Sequence, residues 1–254
     1  MEIGNYRIIK QINEGGFGRI YHAKHILLDE DACIKQNKTE GLEDVEILKL
    51  EAKLLWKLNE HHSIPSTKDF FKISNNNYAL VLDYIEAKTL EDIIPNKNRI
   101  HPEDTCWIIE RLLSALYYCH YNGVIHGDIK PGNVFIEEKK HDIKLIDFGL
   151  SEYLPKHNTK PKGYTPKYSA PEIIQGKPPI PESDIYGVGI TMLFALGGDV
   201  QSKTFPKNIP EEIINFNKNL LNYDPMQRPN WQNNNPIIKL SNIRKQVFGR
   251  RHAF

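Results

Sequence analysis

Val124-Ile-His-Gly-Asp-Ile-Lys-Pro-Gly-Asn-Val134, followed by Lys144-Leu-Ile-Asp-Phe-Gly149, decides the reading of this chain. Asp128 and Asp147 supply carboxylates, Asn133 an amide oxygen and Lys130 an ammonium, all in short polar stretches bounded by apolar runs of strand type. That is the inventory needed to hold Mg2+ and a triphosphate while a hydroxyl proton is accepted. Asp, Pro, Gly and Asn also favour plain turns, but a plain turn has no need of this ordered set of charges.

Towards the N-terminus, Ile12-Asn-Glu-Gly-Gly-Phe-Gly-Arg-Ile20 places Gly15, Gly16 and Gly18 around Phe17. Missing Cβ atoms let backbone N–H groups approach a phosphate, although a hairpin turn also uses glycine. The segment after the turn, Arg19-Ile-Tyr-His-Ala, has strand character, which excludes the dinucleotide fold, and no GxxxxGK[ST] exists. In Ala32-Cys-Ile-Lys35 a lysine ends a buried strand. A buried ammonium needs a carboxylate, and Glu51 on the following amphipathic segment is the candidate.

The first third of the chain is strand-rich. Residues 6–12, 18–26 and 31–36 form a meander, a helix is expected over residues 45–58, and residues 78–85 form a buried strand. Helices dominate beyond Thr89, which with Asp92 forms a capping pair. Residues 103–121 are amphipathic and end at Asn122-Gly123, and residues 187–196 are apolar all round. The composition changes character near residues 85–88, giving one domain over residues 1–254 with lobes 1–85 and 86–254.

Thirty-three Lys and Arg against 32 Asp and Glu leave a formal charge of +1, so no global field recruits nucleic acid. Cys33, Cys106 and Cys119 lie far apart with no zinc-ligand spacing, which fits a reducing compartment. No apolar run is long enough to span a bilayer, and a cytoplasmic location is expected, in the protein's own cell or a host's. From residue 225 onward there are six basic residues (Arg228, Lys239, Arg244, Lys245, Arg250, Arg251) and no acidic one. An acidic partner for this segment is one expectation; a solvated helix whose charges suit a C-terminal dipole is the weightier one.

The whole ordered series resembles the eukaryotic-type protein kinases: the glycine loop, strand lysine, helix glutamate, HGDIKPGN and DFG are followed by Ala170-Pro-Glu172, Asp184-Ile-Tyr-Gly-Val-Gly189 and Asp224-Pro-Met-Gln-Arg-Pro229. The resemblance implies an α+β, two-lobed fold with ATP in the cleft, and protein Ser/Thr kinase activity. It implies that Lys35 holds the α- and β-phosphates beside Glu51, that Asp128 takes the hydroxyl proton, that Lys130 neutralises the γ-phosphate, and that Asn133 and Asp147 bind Mg2+. Ile12, Asn13, Ile20 and Cys33 are expected to cover the nucleotide from one side and Phe135 from the other. Leu82 matches the gatekeeper, and the backbone of Asp83 and Ile85 the hinge. Glu172 and Arg228 are expected to form a buried, structural ion pair.

The chain departs from that pattern in three places. Asn13 replaces the first loop glycine, and Gly127 stands where many kinases carry the arginine that pairs with a phosphorylated activation loop, so strong dependence on activation-loop phosphorylation is not expected, while Ser151, Thr159, Thr165 and Ser169 are all open to modification on this reading. Arg228 comes only 44 positions after Asp184, so the helix that usually follows the long buried one is reduced or missing. HGD followed by Gly132-Asn133 is also similar to aminoglycoside and choline kinases, and a pseudokinase scaffold is a third reading. Lys130, Ala-Pro-Glu and the intact Lys35, Asp128 and Asp147 weigh against both.

Overall fold

The computed structural model describes residues 1–15 and 18–249. The expected nucleotide contacts at Gly16 and Phe17, and the basic residues Arg250 and Arg251, lie outside the described residues. The chain divides into two compact units, Met1–Glu86 and Ala87–Phe254.

The first unit is one antiparallel sheet with a helix. Strands β1 (Glu2–Ile3), β2 (Tyr6–Gly15), β3 (Gly18–His25) and β4 (Asp31–Gln36) are followed by helix α1 (Leu42–Lys57), then β5 (Thr67–Ser74) and β6 (Asn77–Asp83). The strand order is β1-β2-β3-β4-β6-β5. Period-two alternation explains its two faces. Tyr21 and Ala23, Ala32 and Ile34, and Ala79 and Val81 close one core with Ile3 and Tyr6. Ile20, Lys35 and Leu80 form a cross-strand row on the other face, and His22, Cys33 and Leu82 form the next. Helix α1 packs on β5 and β6 and buries Leu48, Glu51 and Leu55.

The second unit is mainly helical. It contains β7 (Lys88–Thr89), α2 (Leu90–Lys97), α3 (Pro102–Tyr121), β8 (Val124–Ile125), β9 (Val134–Glu137), β10 (Asp142–Leu145), β11 (Glu152–Tyr153), α4 (Pro171–Ile174), α5 (Pro181–Ala195), α6 (Glu211–Leu220) and α7 (Pro236–Phe248). Thr89 caps α2 with Asp92 in the expected reciprocal box. Helix α5 is buried nearly all round, as its continuous apolar composition requires, and packs against α3 and α6. Strands β9 and β10 form a hairpin beside β7, and β8 pairs with β11. Residues 196–210 contain turns and one isolated bridge, Asp199 with Thr204, where the sequence predicts a reduced or missing helix.

Two expectations need correction. Ser151 is fully buried and its hydroxyl donates to the carbonyl of His126 at 2.9 Å, so it is a structural bond and not a surface modification site. The basic tail is not simply a solvated helix. Leu240 is buried, α7 packs on α3 and α6, and Arg244 makes a two-pronged pair with Glu110 at 2.9 and 3.0 Å. That pairing spends one of the charges counted towards an acidic partner. No described helix is long and apolar enough to cross a membrane.

Candidate active site

In the first unit, Lys35 Nζ lies 2.8 Å from Glu51 Oε1 and 2.7 Å from Oε2, and both side chains are almost completely buried. The helix carboxylate that a buried strand lysine demands is therefore met. Ile20, Cys33, Lys35 and Leu82 share one sheet face, while Ile12 stands largely exposed on β2. Burial pushes the Cys33 thiol up to about 11, against the opposing pull of Lys35. The backbone N–H of Asp83 is spent on the carbonyl of Ser66 at 3.1 Å, which leaves only its carbonyl for an adenine edge. Ile85 follows, half-buried and outside the strand.

The glycines of the loop differ from each other. A Cβ on Gly18, whose φ is +142°, would fall 2.0 Å from the carbonyl oxygen of Gln36, so close strand packing already demands glycine there. Among the described residues a Cβ on Gly15 would meet nothing within 4 Å. The side chain of Asn13 lies next to it and accepts the N–H of Glu14 at 2.8 Å.

In the second unit, β8 delivers the chain into His126-Gly127-Asp128, and the β9–β10 hairpin returns it to Ile146-Asp147. His126 ties the two segments together. It is fully buried, Nδ1 accepts the N–H of Asp128 at 3.2 Å, and Nε2 faces the carbonyl of Ile146 at 3.1 Å. A backbone N–H can only donate and a carbonyl only accept, so the proton sits on Nε2. Burial lowers the pKa of His126, keeping the ring neutral, against the pull of Asp184, Asp128 and Asp147. The N–H of Ile146 also donates to the carbonyl of Asn133 at 3.0 Å. Asp147 itself has a left-handed φ of +65°, a conformation aspartate adopts more readily than most residues.

Asp128 is held from several sides. Its Oδ2 accepts Lys130 Nζ at 2.6 Å and Asn133 Nδ2 at 3.1 Å, and Oδ1 accepts the hydroxyl of Thr165 at 2.7 Å. Asn133 also donates to the carbonyl of Asp128 at 2.8 Å. The amide nitrogen is thus turned to Asp128 and the amide oxygen away from it. Three donors converging on one carboxylate fix its rotamer.

Asp184 supports this loop from beneath. Its Oδ2 accepts the N–H of His126 at 2.8 Å and its Oδ1 that of Gly127 at 2.9 Å. Burial pushes the Asp184 carboxyl upward, but the hydrogen bonds from His120 and the backbone outweigh it and hold the group below the usual carboxylate range. His120 Nε2 reaches Asp184 at 2.8 Å, and the indole N–H of Trp231 donates to His120 Nδ1 at 2.8 Å. Gly127 lies in the left-handed region at φ +79°, where an added Cβ would meet the carbonyl oxygen of Leu150 at 2.8 Å. Further out, Glu172 and Arg228 form the expected buried pair, bidentate at 2.6 and 2.9 Å, with Ser183 donating to the same carboxylate at 2.8 Å.

Thr165, His120, Asp184 and Trp231 belong to this constellation but have no place in the site as read from sequence. Asp184 sits in a motif, and that was its only signal; the others depend on contacts between distant stretches. Phe135, on β9, is half-buried in register with Lys144 and Thr89.

With this geometry described, comparison with known proteins assigns the chain's family. The protein kinase domain matches residues 6–205, and the chain belongs to that family. It is 32% identical over 196 residues to the SNF1-related protein kinase catalytic subunit alpha KIN12 of Arabidopsis thaliana, a match covering 76% of this chain and 39% of that one. It is 31% identical over 204 residues to the serine/threonine-protein kinase PrkC of Bacillus subtilis, covering 78% of this chain and 31% of PrkC. With the human hormonally up-regulated neu tumor-associated kinase the identity is 28% over 260 residues, covering 91% and 36%. The chain therefore spans well under half the length of these relatives.

Proposed function

We propose that this chain transfers the γ-phosphoryl group of Mg·ATP to serine or threonine hydroxyls of proteins. The observation that carries the reading is Asp128, buried, with Lys130 on one carboxylate oxygen at 2.6 Å and a threonine hydroxyl on the other at 2.7 Å. The hydroxyl of Thr165 marks the side on which an acceptor alcohol can meet Oδ1. Asp128 orients that alcohol and takes its proton as the new O–P bond forms and the bond from Pγ to the ADP oxygen breaks. Lys130 neutralises charge on the transferred group, and Lys35, kept in place by Glu51, holds the α- and β-phosphates. Ile12, Asn13, Gly15, Gly18, Ile20, Cys33, Leu82, Asp83, Ile85 and Phe135 complete the nucleotide contacts in this reading.

Among the described residues no group of three His, Cys, Asp or Glu can cage a metal ion. Mg2+ does not need one, because it is normally held by one or two carboxylates together with substrate phosphates and water. Asp147 and the outward-turned amide oxygen of Asn133 fit that demand. When bound, the ion neutralises phosphate charge and orients the terminal group.

Similarity to serine/threonine kinases and the presence of Lys130 beside Asp128 favour a protein acceptor over aminoglycosides or choline. Incubation with Mg2+ and γ-labelled ATP, with protein substrates and separately with amino sugars and choline, tests this. Labelled phosphoserine or phosphothreonine is the expected product; label in the small molecules alone would overturn the choice of acceptor. The three free thiols of Cys33, Cys106 and Cys119 suit a reducing compartment and support a cytoplasmic site of action.

A further inference from the structure

Tyr186 and Ile190, from the buried cluster they form with Ala170 and Ile173, line a groove of about 580 Å3 in the second unit. That is within the range of real ligand sites. Its lining comes from residues 166–175, from α5 and from the turn at 200–203. Ile174 and Tyr223 remain 47% and 68% exposed at its edge, so the groove is a channel along which a chain can lie and not an enclosed chamber for a small molecule.

Its charge is one-sided. Lys167 and Lys203 contribute to the lining and no carboxylate does. The neighbouring acids are turned to other tasks: Glu172 grips Arg228 at 2.6 and 2.9 Å, and Asp199 accepts the N–H groups of Gln201 and Ser202 at 2.8 Å each. Lys203 sits 5.2 Å over the ring of Tyr186, a weak contact that a carboxylate can outcompete. Tyr186, Ile190 and Val200 add apolar surface to the same lining.

The groove also begins beside the chemistry. Pro166 lines it, and the adjacent Thr165 donates to Asp128 at 2.7 Å. An extended peptide advances about 3.3 Å per residue, so a segment a few residues from an acceptor hydroxyl at Asp128 reaches the lining. We propose that this groove docks an acidic segment, bearing bulky apolar side chains, of the protein substrate close to its phosphoacceptor residue. The proposal deepens the kinase reading and rests on it.

The test uses the full chain and fluorescently labelled peptides with one serine followed by Glu- and Phe-containing, Lys- and Phe-containing, or Ser/Gly-only segments. Anisotropy measured without nucleotide is expected to show tighter binding of the acidic peptide, weakening with salt. The Lys167→Glu/Lys203→Glu variant is expected to lose that preference by about tenfold or more and to take the basic peptide instead. Ile174→Ser, on the exposed edge of α4, is expected to weaken the acidic peptide without changing the salt dependence. Equal binding of acidic and basic peptides, unchanged binding by the double variant, or a sedimenting dimer that excludes the peptide would overturn the proposal. Labelling from γ-labelled ATP is followed separately. Peptide binding without labelling contradicts only the kinase reading, whereas labelling of acidic and neutral peptides with equal KM contradicts only the docking.

Discussion

Trp231 donates its indole N–H to Nδ1 of His120 at 2.8 Å, and because an indole nitrogen can only donate, this bond fixes where the imidazole proton resides. The proton is then on Nε2, directed at Asp184, whose carboxylate holds the backbone N–H groups of His126 and Gly127. The segment before α7 is thus linked by hydrogen bonds to the loop that carries Asp128.

Trp231→Phe keeps the aromatic packing against Tyr117, whose ring lies 5.4 Å away, and removes only the donor. Leaving a buried acceptor unsatisfied costs about 1–3 kcal/mol. We expect a lower melting temperature and a turnover reduced severalfold with KM for ATP unchanged. An unchanged kcat would show that the tautomer of His120 does not matter to the catalytic loop.

Gly127→Ala places a Cβ 2.8 Å from the carbonyl oxygen of Leu150 at a φ of +79°. A left-handed backbone alone costs an L-residue about 1–2 kcal/mol, so denaturant unfolding should show at least that loss. A neutral substitution would mean the loop is free to adopt another conformation.

His126 has a pKa held below its ordinary value by burial. In the unfolded chain it takes up a proton near pH 6.5, so the folded state loses stability as pH falls from there towards the lower folded value. The slope is at most about 1.4 kcal/mol per pH unit for one proton. The His126→Asn variant, less stable throughout, should show a flatter dependence of melting temperature on pH between 7.5 and 5. Parallel curves would contradict the assignment.

Much of the site is legible in the sequence because its chemistry is written in residue types. A lysine on a buried strand requires a carboxylate, and Glu51 answers it at 2.8 Å. The apolar run at 187–196 is buried as α5, and Thr89 with Asp92 caps α2, because these depend on local rules. The pairing of Trp231 with His120 spans 111 positions and that of Arg244 with Glu110 spans 134, and no local pattern encodes either. Ser151 reads as a modifiable hydroxyl, yet the turn that brings it to the carbonyl of His126 removes it from solvent. The hydroxyl of Thr165 meets Asp128 across 37 positions, again a product of packing.

In the proposed reaction the carboxylate of Asp128 takes the acceptor's proton during phosphoryl transfer. Asp128→Asn preserves shape and the capacity to accept from Lys130 but removes the base. Single-turnover transfer from Mg·γ-labelled ATP to a serine-containing protein, with nucleotide affinity measured in parallel, is the direct measurement. We predict a rate lower by about two to four orders of magnitude with ATP binding retained; equal rates in the variant and the wild type would contradict the account.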